Sequence, residues 1–214
     1  MPPRKHEERF YPVHKAFACR GFDSNTLPML QGIARCILRV GGWTPVGDLP
    51  TVDKVVFVAA PHTTNWDGFW LLVYKIALDV EVHFLAKHTL FWWPLGPVLR
   101  ALGAMPIDRN ISASTVQQVV DVFAGRDKFW FALAPEGTRK WQPYWKTGFY
   151  QVAKSANVPL VLAFIDYKKK RLGIGITLPD NQTMEQDLQA IREFYAPLTG
   201  LRPERQGPIE FPPD

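Results

Sequence analysis

His62 and Asp67, separated by Thr63-Thr64-Asn65-Trp66, are the side chains in this sequence best suited to moving a proton. A carboxylate that holds one ring N–H of an imidazole fixes its tautomer and leaves the other nitrogen as a general base. The pair follows Val55-Val56-Phe57-Val58-Ala59-Ala60, an apolar run that reads as a buried β-strand. Pro61 breaks that strand, and Trp66 to Leu72 starts a helical pattern. The first turn of such a helix brings the Asp back toward the His. On these six residues alone, a helix N-terminus carrying Asp67 for the dipole is the simpler reading.

Three downstream segments add to the case: Gly103 to Arg109, Phe131 to Arg139 with Pro135-Glu136-Gly137-Thr138-Arg139 at its end, and Asn157 to Phe164. The planar fork of arginine pairs bidentately with phosphate oxygens, which makes Arg109 and Arg139 candidate phosphate ligands. Salt bridges from Arg109 to Asp108 and from Arg139 to Glu136 are the alternatives. Lys87 reads either as a phosphate contact or as a solvated strand end. In an open parallel sheet, sites gather beyond the carboxyl ends of the strands. His62, Lys87 and Glu136 each follow an expected strand, and Arg109 follows a short one, so all four can face one cleft. No Gly-x-Ser-x-Gly elbow accompanies His62. His83 and His88 have no metal-ligand company, and no metal is expected.

In this order, the four segments resemble the sequence blocks of the glycerolipid acyltransferase family, typified by 1-acyl-sn-glycerol-3-phosphate (lysophosphatidate) acyltransferase. The resemblance covers roughly residues 43 to 177, and Pro135 to Arg139 is its most specific match. Pro61 departs from the pattern, standing where the family usually has Asn. The resemblance implies transfer of a fatty acyl group from a thioester, acyl-CoA or acyl carrier protein, to the hydroxyl of a lysophospholipid. The acceptor it implies is 1-acyl-sn-glycerol-3-phosphate, with phosphatidate as product and no bound cofactor. His62 would be the general base and Asp67 its orienting partner. Arg109, Glu136, Gly137, Thr138 and Arg139 would bind the acceptor, joined by Lys87, and backbone N–H groups near Gly137 would stabilise the oxyanion. A lyso-aminolipid or another lysophospholipid is the alternative acceptor. A lipid- or nucleic-acid-binding protein without catalysis is the contrasting class, and an oriented base is of no use to it.

Alternating elements must position these residues. Strands are expected at Val55–Ala60, Val80–Ala86, Ala104–Pro106, Lys128–Ala134 and Leu160–Tyr167, with Leu172–Leu178 as a hairpin partner. Helices are expected at Trp66–Ile76, Leu95–Leu102, Ala113–Ala124, Tyr150–Ala156 and Glu185–Phe194, and Trp43–Pro50 reads as a turn-rich stretch. Repeated βα units predict an α/β fold with a mostly parallel central sheet flanked by helices. By resemblance the fold is glycerol-phosphate acyltransferase-like. Residues 1–42 read as an amphipathic, membrane-associating segment, 43–201 as the acyltransferase domain and the proline-rich 202–214 as a loose tail.

The chain of 214 residues is long enough for one full-sized core. Its net charge of +5 and pI near 9.2 point to an anionic partner: nucleic acid, membrane or phosphorylated substrate. Lys168-Lys169-Lys170-Arg171 is too short a run for nucleic-acid binding and reads as a hairpin tip. Cys19 and Cys36 lack disulfide-framework or zinc spacing, consistent with a reducing setting. The charged N-terminus carries no apolar core of a secretory signal, and no stretch reaches the about 20 apolar residues of a membrane span. From Pro28 to Val40, Gln31, Arg35 and Arg39 oppose Leu30, Ile33, Ala34, Ile37 and Leu38. That pattern fits a helix packed on the domain or one lying in the membrane interface. The expected location is peripheral, at the cytoplasmic face of an anionic membrane, or partly soluble in the cytoplasm. Of the tryptophans near the motifs, most are expected as core or cleft walls and some as interface anchors.

Overall fold

The structure, a computed structural model, describes residues 27–107 and 113–212. Cys19, Asp108 and Arg109 lie outside the described residues.

In chain order the elements are α1 (Leu27–Val40), β1 (Thr44–Val46), β2 (Lys54–Ala60), α2 (Asn65–Leu78), β3 (Val82–Lys87), α3 (Leu95–Ala101), β4 (Ala104–Ile107), α4 (Ala113–Ala124), β5 (Phe129–Leu133), α5 (Gly148–Ala156), β6 (Leu160–Asp166), β7 (Arg171–Thr177) and α6 (Met184–Tyr195). The strands form one seven-stranded sheet in the order β1-β7-β6-β2-β5-β3-β4. Every neighbouring pair is parallel except the β6–β7 hairpin.

Strands β2 and β6 sit inside the sheet and are covered on both faces, which explains why their sequences are nearly continuous apolar runs. Alternate residues sort to opposite faces. Val56, Val58 and Ala60 join Phe123 of α4, Phe149 of α5 and Ile191 of α6 in the larger core. Val55 and Phe57 face the other way, with Trp130 and Val161. Further along that second face, Ile165 and Leu172 pack with α1 and α2 through Ala34, Leu38, Val73, Tyr74 and Ala77.

The amphipathic helix α1 divides its apolar residues between two faces. Ala34 and Leu38 are buried, while Met29, Ile33, Ile37 and Val40 are exposed. Arg35 Nε donates to the carbonyl of Ala77 (3.1 Å), near the C-terminus of α2, where a cation suits the helix dipole. No described helix is long and apolar enough to cross a membrane.

Two expectations differ from the structure. The turn-rich Trp43–Pro50 stretch contains β1, which pairs in parallel with Arg171–Gly173 at the sheet edge. A Cβ on Gly47 or Gly173 would run into the backbone of the opposite strand, so both glycines permit this close approach. The expected loose tail is docked over residues 202–212. Gln206 accepts from Gly200 N (2.7 Å) and donates to Leu198 O (3.3 Å), Trp145 N donates to Glu210 O (2.7 Å), and the Phe211 ring packs tilted against Phe149 and Tyr150. Proline richness hid these specific partners.

Candidate active site

The turn between β2 and α2 is held by its own helix cap. Thr64 is the N-cap of α2 and Asp67 the third helical residue, and together they form a capping box. Asp67 is fully buried. Its Oδ2 accepts from the backbone N–H groups of Thr63 (2.6 Å) and Thr64 (2.7 Å), and its Oδ1 accepts from the Thr64 hydroxyl (2.9 Å). The same carboxylate lies 3.5 Å from His62 Nδ1. Helix capping and imidazole orientation, set against each other by the sequence, are thus carried by one side chain. Burial raises the Asp67 pKa, but hydrogen bonds from His62, Thr64 and Tyr167 outweigh it and hold the group below the ordinary carboxylate value.

Four further contacts brace the turn. Tyr167, just past β6, donates its hydroxyl to Asp67 Oδ1 (2.8 Å). Glu136 Oε1 accepts the backbone N–H of His62 (2.9 Å). Arg205 Nη1 donates to Thr63 O and Arg202 N to Thr63 Oγ1, both at 3.3 Å. The Ala60–Pro61 bond is cis.

His62 stands at the edge of an apolar cavity of about 400 Å³, within the range of small-molecule sites. The cavity lies between α2 and the second face of the sheet. Gly68, Leu71 and Leu72 form its roof, and Ala59, Ala86, Ala132 and Ala163 give it a floor of small residues. Toward the amino ends of the strands it is lined by Phe57 and Trp130, whose rings meet edge-on with centroids 5.6 Å apart. With Nδ1 turned to Asp67, Nε2 is the nitrogen of His62 left for a hydroxyl arriving in this cavity.

Lys87, Gly137, Thr138 and Arg139 line the same cavity. The structure thus brings His62 and these four together, with Asp67 directly behind. Among the described residues no ion pair involves Arg139, and Glu136 Oε2 has no hydrogen-bond partner, so the alternative Arg139–Glu136 bridge is not formed.

Glu136 differs from its expected role. It is buried behind His62 and absent from the cavity lining. Burial pushes its pKa up, against lowering by the hydrogen bond from His62 N. Gly137 lines the cavity, while its own N–H is committed to Ala134 O (3.1 Å). Its φ of +63° is what favours glycine there.

Sequence reasoning missed Tyr167 and Lys146. Tyr167 lies a hundred residues from Asp67, beyond any local spacing rule. Lys146 lines the cavity, but it stands in a loop outside the matched segments. Other charges are already engaged. Lys170 Nζ stands 4.8 Å over the Trp43 ring, and Arg171 pairs with buried Asp166 at 3.8 Å, so half of the basic hairpin tip is structural. His83 is buried against Phe129, and burial with Arg126 nearby lowers its pKa to about 4.

Comparison with known proteins bears on this site. The sequence profile of the Acyltransferase family matches residues 46–165, more than half of the chain. A probable 1-acyl-sn-glycerol-3-phosphate acyltransferase 5 from Arabidopsis thaliana is 30% identical over 95 residues. That stretch is 42% of this chain and 25% of the plant protein. The crystal structure of the 1-acyl-sn-glycerophosphate (LPA) acyltransferase PlsC from Thermotoga maritima superposes with a TM-score of 0.55 at 15% identity, covering 78% of this chain and 75% of that one. The shared fold is the α/β arrangement with its mostly parallel seven-stranded sheet.

Proposed function

The chain belongs to the Acyltransferase family, and from that premise we propose that it is an O-acyltransferase acting on a lysophospholipid, 1-acyl-sn-glycerol-3-phosphate, to give phosphatidate. One observation carries the reading. An oriented histidine stands where an apolar cavity meets a rim of Lys87, Arg139 and Lys146. The cavity suits an acyl chain, and the cationic rim suits a phosphate.

The reaction follows from the arrangement. His62 Nε2 takes the proton of the acceptor hydroxyl as its oxygen attacks the thioester carbonyl. A carbon–oxygen bond forms, the tetrahedral centre collapses, and the carbon–sulfur bond breaks. The departing thiolate takes the proton back from His62. Asp67 stays ionised throughout and stabilises the imidazolium while it exists. Arg139, with Lys87 and Lys146, holds the acceptor phosphate, and Arg109 belongs to the same binding set by its motif. Glu136 acts by fixing the His62 backbone. The donor is acyl-CoA or an acyl carrier protein thioester, and the protein works peripherally at the cytoplasmic face of an anionic membrane.

A thiol-release assay with palmitoyl-CoA tests this, offering lysophosphatidate, glycerol 3-phosphate and a neutral lyso-lipid in parallel, then repeating with an acyl carrier protein thioester. Release that depends on lysophosphatidate is expected. Release driven best by the neutral lipid would move the acceptor. No release with any acceptor and either donor would overturn the reading.

A further inference from the structure

If the site is an acyltransferase centre, as proposed above, its substrates are amphiphiles whose chains reside in a bilayer, and a chain crossing water to reach the cavity would lose its apolar shelter on the way. The segment after β3 is suited to avoid that crossing. Leu90 lines the cavity and is also exposed on the surface. Beside it, Trp92 is 60% exposed, Trp93 83% and Val98 54%. Bulky apolar side chains gathered this densely on one surface segment mark an interaction site. The charge is equally one-sided, since no Asp or Glu occurs between Glu81 and Asp108. Lys87 stands at the cavity, and the Arg100 guanidinium lies 5.2 Å from the centre of the Phe91 ring in the same segment.

We propose that Leu90, Trp92, Trp93 and Val98 form a docking lip that seats in the interface of an anionic lipid bilayer and passes acyl chains directly into the cavity. Indole rings favour the headgroup level of a bilayer. The neighbouring cations favour anionic lipid. The continuity of Leu90 with the cavity lining makes the lip a path as well as an anchor. It belongs to the segment after β3 and not to α1, which packs through Ala34 and Leu38 on α2 and on Ile165 and Leu172 of the sheet.

Vesicle flotation of the full chain tests the lip, using phosphatidylcholine alone and phosphatidylcholine with phosphatidylglycerol. The comparison is with the Trp92→Ser/Trp93→Ser double variant and, separately, with Val98→Glu, which adds an acid to the lip. Wild type is expected to float with the anionic vesicles, and each variant to bind at least about tenfold more weakly. All three should turn over a short-chain, fully dispersed lysophosphatidate alike, because Trp92, Trp93 and Val98 stand outside the cavity lining. Undiminished flotation of both variants would overturn the proposal. So would a wild type that ignores both vesicles, and a sedimentation shift specific to wild type would then assign the lip to a second copy of the chain. Flotation that depends on the lip, with no turnover of dispersed acceptor by any protein, would uphold the lip and sink the acyltransferase reading instead.

Discussion

The hydroxyl of Tyr167 donates to Asp67 Oδ1 at 2.8 Å, joining the end of β6 to the first turn of α2. Asp67 therefore receives hydrogen bonds from two backbone N–H groups and two hydroxyls in addition to facing the imidazole. A carboxylate so fully solvated by the protein orients His62 without taking its proton. Tyr167 remains the neutral donor because burial and the Asp67 charge push its pKa up.

Tyr167→Phe should lower turnover by roughly three- to thirtyfold, the scale of one hydrogen bond to a charged group acting through a second residue. The pH profile distinguishes this from general damage. Asp67 has a lowered folded pKa, so its ionised contribution is complete above the unfolded value and is lost as pH falls through the folded one. Removing one of the lowering hydrogen bonds raises that folded value. The acid limb of kcat/KM should move to higher pH, and an unmoved limb would contradict the role.

Glu136 makes a different prediction because burial holds its folded pKa above the ordinary carboxyl range. A raised carboxyl pKa contributes stability that is complete below the unfolded value and is lost as pH rises through the folded one. Glu136→Gln keeps an oxygen for the His62 N–H and removes the buried charge. Its stability should therefore decline less than wild type between mildly acid and neutral pH in thermal melts. Glu136→Ala strands the His62 N–H and should cost about 1–3 kcal/mol together with turnover.

Arg139→Ala should raise KM for lysophosphatidate by roughly ten- to a hundredfold, the value of a charge-assisted contact, with a smaller change in kcat. Arg139→Lys should recover only part of this, since an ammonium does not reproduce the planar fork. Steady-state kinetics against a neutral lyso-lipid is the control. Equal KM defects for both acceptors would argue against phosphate recognition.

Chain length should respond to the cavity floor. Ala132 lies on that floor, in register with Phe57 of the neighbouring strand. Ala132→Phe fills the space and should shift donor preference toward shorter acyl-CoAs in a competition assay. Retention of the wild-type preference would mean that the acyl chain lies elsewhere.

Legibility followed the range of the interactions. Val55 to Ala60 is both an apolar run and a strand, and the stripe of Val116, Val119, Val120 and Phe123 announces α4. Thr64 and Asp67 form a local cap whose spacing is written in the chain. What escaped was long-range or counter to composition. Tyr167 reaches Asp67 only through the packing of β6 beside β2. Glu136 carries a motif that reads as substrate contact, yet its position at the end of β5 turns it behind His62. β1 hides behind Pro45 and Gly47, tolerable because it is an edge strand, and the tail hides behind its prolines while Arg205 reaches Thr63.

The most direct test of the account is the rate of thiol release from palmitoyl-CoA by His62→Ala, measured beside wild type with lysophosphatidate as acceptor. Loss of an oriented general base should lower turnover by about two to four orders of magnitude while acceptor binding and the melting transition persist. Turnover undiminished in His62→Ala would contradict the assignment of the base, and with it the mechanism.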